Sequence, residues 1–237
     1  MRNSLTFAGV SSESLGLHIE YCPDFDRPTR KMDRYNVPGR NGEIVVMQDA
    51  WENVLQAYRI WGGNGAINDA TAFGYSIANW LFSSSGYQRL TDTYDPNHYR
   101  LAYFEGPIDV ENIMRRRGRA EIIFSCDPRR FLTSGETAVT LTGTDTIDNP
   151  TAFTAKPTIT VHGSGNGTIE AGGNTITIAG IYDGMVLDCE NLNAYSGGYN
   201  LNNLISGDFP VIPSGTQTIT ITGGITSISV VPNWWTL

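Results

Sequence analysis

Beyond residue 134 the chain almost runs out of positive charge: of its 16 lysines and arginines, only Lys156 lies past that point. Residues 1–134 carry 15 basic and 16 acidic side chains, net −1, and residues 135–237 carry 1 and 8, net −7. With a net charge of −8 and a pI near 4.8, this composition argues against gripping phosphate backbones, which takes clustered Lys and Arg. No sequence-specific nucleic-acid ligand is expected. Histidine is equally sparse. His18, His98 and His162 are isolated and form no His-Glu-x-x-His pair, so neither a metal site nor a cofactor is expected. The three cysteines, Cys22, Cys126 and Cys189, are odd in number, far apart and without Cys-x-x-Cys spacing, which excludes a zinc or redox pair. They read as reduced, mostly buried small side chains. Met1 to Val10 lacks the apolar core of a signal peptide, and no window approaches the roughly 18 apolar residues of a membrane span. A soluble product of the cytosol, without membrane insertion, is the expectation.

What is abundant is turn chemistry. The 237 residues include 26 glycines and few stretches free of Gly, Pro, Asn or Asp, the mark of short strands joined by turns. The length suits two domains better than one. The charge break coincides with Asp127-Pro128, Gly135 and a Thr-rich run from Thr137 to Thr146, which sets the boundary near residue 134 and gives domains 1–134 and 135–237. The predicted fold class is mainly β, with β-sandwich-like domains and one helix in the first.

In the first domain, Leu15, Leu17, Ile19 and Tyr21 alternate with polar or small neighbours, as do Ala120, Ile122, Phe124 and Cys126, the period of a half-buried strand. Asp69 followed by Phe73, Ile77, Trp80 and Leu81, with Gly86 beyond, spells a capped amphipathic helix. Residues 51–60 fit either period, with strand preferred. In the second domain, Thr- and Ile-rich strands are predicted at 158–161, 175–178, 185–188, 218–221 and 225–231. The glycine clusters Gly163 to Gly167, Gly172-Gly173 and Gly223-Gly224, with Asp183-Gly184 and Pro213 to Gly215, read as the turns between them.

Little in the chain looks catalytic. Asp92, Asp95 and His98 resemble a metal-loop fragment but lack the alternating acids and final Glu of a calcium loop; a turn is the better reading. Gly163 to Gly167 has neither the Gly-Lys-Ser/Thr ending nor the helix of a phosphate loop. Asp188 and Glu190 share a strand face if the strand continues, the one hydrolase-like pair, with solvent exposure the plainer account. No Gly-x-Ser-x-Gly elbow exists, and an enzyme is disfavoured. Two groups point to binding instead. Arg40 and the run Arg115, Arg116, Arg117 and Arg119 suit a subunit or partner interface. Tyr195, Tyr199, Trp234 and Trp235 suit a sugar-stacking platform, although core packing is the commoner fate of such rings. A glycan-binding module for host-surface attachment is therefore the alternative to an assembly role.

Several stretches, taken in order, resemble the distal tail protein family of long, non-contractile-tailed bacteriophages. They are Leu5 to Ser12 with Leu15 to Leu17, the Val37 to Ile44 turn, Ile77 to Leu81 followed by Gly86 and Arg89 to Asp92, Tyr99 to Ala102, and Gly118 to Pro128. Asn149 to Thr151, Lys156 to Val161 and Asp208 to Gly215 with the following Ile-Thr-Ile continue the match. The resemblance implies an N-terminal domain that forms a hexameric ring and a peripheral galectin-like C-terminal β-sandwich. It further implies a structural virion protein of the tail tip, synthesised in the host cytoplasm. Its partners would be the tail tube protein, a tail-associated or tail fibre protein, the tape measure protein and receptor-binding proteins, with DNA passing through the lumen.

Overall fold

The structure, a computed structural model, describes residues 3–62, 70–106, 109–114 and 117–237. The chain divides into two compact units, Met1–Arg130 with Leu237, and Phe131–Thr236. Strands dominate both, and among the described residues no helix is long and apolar enough to cross a membrane.

The first unit is built on antiparallel strands β1 (Leu5–Phe7), β2 (Val10–Ser11), β3 (Leu17–Ile19), β4 (Arg30–Asn36), β5 (Glu43–Trp51), β6 (Val54–Gly62), β7 (Gln88–Asp92), β8 (His98–Tyr103), β9 (Asp109–Met114) and β10 (Arg117–Cys126), with helix α1 (Ala70–Phe82) between β6 and β7. All but β4 and β5 join one sheet in the order β2-β1-β7-β8-β10-β6-β3, and β9 also pairs with β10. Strand β6 shows why 51–60 is not helical. Val54, Gln56, Tyr58 and Ile60 are buried while Leu55, Ala57 and Arg59 face outward, and an eight-residue ladder with β10 holds that alternation. Helix α1 closes the core with Ile77, Trp80 and Leu81. The Trp80 indole N–H donates to the Phe7 carbonyl at 3.2 Å, and its ring meets Phe7 edge to face.

Two expectations for this unit change. Leu15 ends a short 3-10 turn (Ser12–Leu15) instead of starting a strand, because Gly16, at φ 71°, reverses the chain there. His18 is buried between Leu17 and Ile19, so β3 is covered on both faces, and Tyr21 is exposed. The predicted cap Asp69 lies outside the described residues.

Strand β11 (Arg130–Leu132) leads out of the first unit. The second unit contains β12 (Val139–Leu141), β13 (Thr144–Asn149), β14 (Thr158–Ala171), β15 (Asn174–Ile181), β16 (Met185–Asp188), β17 (Asn193–Ser196), β18 (Tyr199–Asn200), β19 (Ile205–Gly207) and β20 (Gly215–Val231). Strands β14 and β20 run beside each other for their whole length, and each changes its outer neighbour halfway. The first half of β14 pairs with β16 and the second with β15; β20 pairs first with β13 and then with β12. Side chains from both halves, among them Ile159, Val161, Leu187 and Val230 with Ile169, Ile176, Ile219 and Ile221, meet in one core, so the two halves are the two layers of a sandwich.

The bend between the layers corrects the sequence reading. Gly163 to Gly167 and Gly223-Gly224 are not turns; they lie inside the two long strands, where the ladder shifts register. The strands approach so closely there that a Cβ on Gly163 would collide with the Gly224 carbonyl, and one on Gly224 with that of Ser164. Gly172-Gly173, by contrast, is the predicted turn: both residues have positive φ and link Ala171 to Asn174 in a two-residue hairpin. Outward Thr175, Thr177, Thr216 and Thr218 alternate with buried Ile, which lets the surface stay polar with one lysine.

Of the cysteines, Cys126 and Cys189 are buried, and burial pushes their thiols up to about 11 and about 12. Cys22 departs from expectation and is exposed, because the segment after β3 leaves the sheet.

Two measurements check this architecture. Gly224→Ala should lower unfolding free energy by at least about 2 kcal/mol in urea melts; an unchanged midpoint would contradict the close crossing. Maleimide should modify one thiol, Cys22, in the native protein, with Cys126 and Cys189 reacting after denaturation.

Candidate assembly surface

Strands β4 and β5 form a two-stranded sheet of their own. The turn that joins them follows from sequence. Pro38 presets φ at the second position of a β-turn, Gly39 takes φ 82° at the third, and the Arg40 N–H closes it onto the Val37 carbonyl at 3.1 Å. Gly42, at φ 81°, returns the chain to β5. Nine residues of β5 make an arm about 30 Å long at roughly 3.3 Å per residue.

Register decides which side chains share each face. Opposed pairs Tyr35–Ile44 and Asp33–Val46 lie on one side; Arg34–Val45 and Met32–Met47 lie on the other. Both sides therefore carry apolar groups, since Ile44 to Met47 are consecutive. A strand apolar on both faces is normally covered on both. Here Tyr35, Ile44, Val45, Val46 and Met47 are all exposed, Met47 by 57%. The charged residues hold the arm in register rather than shielding it. Arg30 pairs with Asp49 at 3.2 Å and lies over Trp51, and Gln48 donates to Asp33 at 2.9 Å. An isolated hairpin with uncovered apolar faces and open edges is marginal by itself and suited to pairing with another chain.

A second exposed region lies on the outer face of β6 and β10. Leu55, Ile123 and Tyr21 are exposed there beside a recess of about 130 Å³ that Asp24, Asp26, Arg59 and Glu121 help to line. Arg59 pairs with Glu121 at 3.3 Å and covers the Tyr21 ring.

The residues singled out in sequence fall in different places. Arg40 stands exposed at the tip of the arm. Arg119 is held by Glu20 at 2.7 Å within its own unit. Arg115 and Arg116 lie outside the described residues, and of Arg117 only the backbone, at the start of β10, is described. The aromatic group does not present four surface rings. Trp234 is 6% exposed and belongs to the core of the second unit, while Trp235 stacks on Phe153 at 4.4 Å and donates to the Thr154 carbonyl. Tyr195 is half-buried on β17, and only Tyr199, 77% exposed on β18, stands free of cover.

The hydrolase-like pair is a turn device. Asp188 accepts hydrogen bonds from the Glu190 and Asn191 backbone N–H groups and from the Asn191 side chain, and Glu190 lies 3.6 Å from Lys156. The chain turns after Asp188, so the two carboxylates do not share a strand face as the sequence suggested. Asp92 likewise caps its turn by accepting from the Tyr94 and Asp95 N–H groups, and Tyr58 donates to it at 2.7 Å. Asp95 binds His98 at 2.7 Å. His162 pairs with Asp183 at 3.0 Å. Among the described residues no group of three or more His, Cys, Asp or Glu is placed to hold a metal ion.

The chain matches no protein-family model and no curated protein by sequence. Its fold, however, is found in solved structures. The SPP1 Dit protein, described as a paradigm of the hub adsorption apparatus in phages infecting Gram-positive bacteria, matches over 100% of both chains with a TM-score of 0.76 at 12% identity. A chain of the phage P2 baseplate in its activated conformation with Ca matches with a TM-score of 0.54 at 10% identity, over 97% of this chain and 98% of that one. The corresponding Sr structure gives 0.52 at 9% identity, over 96% and 97%. The likeness is one of fold.

Arg119→Ala removes a half-exposed ion pair and should cost under about 1 kcal/mol of stability. A thermal melt that falls much further would show Arg119 to be structural rather than available to a partner.

Proposed function

We propose that the chain is a structural subunit of a phage tail tip, a distal tail protein that assembles with copies of itself into a hub ring. The observation that carries this reading is the uncovered β4–β5 arm: a surface apolar on both faces inside a fold otherwise well buried. The whole-chain likeness to a hub protein supports it. A ring closes through head-to-tail contacts, in which one surface of each subunit meets a different surface of the next. The arm supplies a projecting surface of that kind, and Arg40 at its tip is the most exposed of the predicted interface arginines.

On this reading residues 1–134 form the ring, taken to be hexameric, and residues 135–237 form the peripheral galectin-like sandwich. The partners are the tail tube, tape measure and tail-associated or tail fibre proteins, with receptor-binding proteins at the outside, and the working location is the virion tail tip. The role is one of assembly rather than catalysis, consistent with carboxylates spent on turns.

Light scattering on the purified chain tests the reading. The mass should be a multiple of 25.9 kDa, six-fold for a hexamer, and negative-stain images should show rings. Val46→Asp combined with Met47→Asp, one charge on each face of the arm, should leave a folded monomer with a melting temperature within a few degrees of the parent subunit. A wild-type chain that remains monomeric at high concentration would overturn the proposal.

A further inference from the structure

A second feature of the first unit is buried rather than exposed. Arg100 on β8 and Arg130 at the end of the unit are 7% and 6% exposed, and both line a cavity of about 20 Å³ together with Tyr58, Asp92, Asp95 and His98. Buried guanidinium groups are expected to find acceptors for their N–H groups, since an unmet buried donor is costly. Here three nitrogens have none: Nη1 of Arg100, and Nε and Nη2 of Arg130.

The neighbouring acceptors are already engaged. Both Asp92 oxygens are used, Oδ1 by the Tyr94 and Asp95 N–H groups and Oδ2 by the Tyr58 hydroxyl. Asp95 meets His98 with one oxygen and Arg130 Nη1, at 3.3 Å, with the other. Arg100 donates through Nη2 to the Asp26 carbonyl at 3.3 Å. Donors thus outnumber acceptors around the cavity. The charges are unbalanced in the same direction. Burial first, and then the charges of Arg100 and Arg27, lower the Arg130 pKa to about 10, and Asp95 offsets only part of this.

We infer that the Arg100–Arg130 cavity binds a small monovalent anion of halide size. The ligand should be an acceptor, because the surrounding protein supplies unmet donors. It should be small, because about 10 to 15 Å³ accommodates one water-sized body and the cavity offers little more. Phosphate and carboxylate-bearing metabolites are too large. The anion would bridge the two guanidinium groups, tying β8 to the last residue of the unit. The inference is independent of the assembly reading and stands or falls separately.

Melting the full chain at fixed ionic strength in sodium gluconate, with increasing fractions replaced by sodium bromide, tests it. The expected result is a saturating rise, about 3 to 6 °C at roughly ten times the dissociation constant, with the rise lost in Arg100→Gln. Because that variant can fail to fold, the wild-type protein should also be crystallised and soaked in bromide, where an anomalous peak should lie between Arg100 and Arg130. Equal melting temperatures in both salts with no peak at that position would overturn the inference and leave the cavity to water.

Discussion

The crossing of β14 and β20 at Gly163 and Gly224 is a steric constraint from which the second unit takes its form. Two strands of 14 and 17 residues are too long for one layer of so small a sandwich. They remain paired by bending together, and they can bend only where neither backbone carries a Cβ toward the other. Past the bend each strand meets a new neighbour, β16 or β15 for one and β13 or β12 for the other. The isoleucines of both layers are thereby brought into one core, and the threonines face water.

The first unit solves the same problem of covering strands by different means. Its sheet is backed by α1, and the β6–β10 ladder has one buried and one open face. The β4–β5 arm has no such backing. Its sequence asks for burial on both sides, and the single chain covers neither. That mismatch between what a strand is built for and what it receives is the physical basis for reading the arm as an assembly element. The Arg100–Arg130 cavity shows a mismatch of another kind, with donors in place of apolar surface. In each case an interaction left incomplete within the chain defines the chemistry of what would complete it: apolar surface and backbone for the arm, a compact acceptor for the cavity.

Much of the architecture was legible in the residues themselves. The helix at 70–82 followed from Ile77, Trp80 and Leu81, the turn at Gly172-Gly173 from its dipeptide, and the strand at 117–126 from its alternation. These are local signals, set by side-chain period and backbone freedom. The glycine clusters at 163–167 and 223–224 misled because a glycine needed for close approach and a glycine needed for a turn are the same letter. Trp234 and Tyr199 are likewise both large aromatics, one in the core and one on an edge hairpin, and no periodicity separates them.

The sequence by itself determined that the protein is mainly β, that its halves differ in charge, and that its carboxylates and histidines carry no recognisable catalytic pattern. Those properties depend on composition and near-neighbour order. Only the tertiary structure decided that Ile44 to Met47 stand in solvent, that Asp188 and Asp92 serve turns, and that Arg100 and Arg130 share one cavity with N–H groups to spare. Burial and hydrogen-bond satisfaction are properties of residues 30 or more positions apart brought together, as Arg100 and Arg130 are, and nothing in the local order of the chain records them.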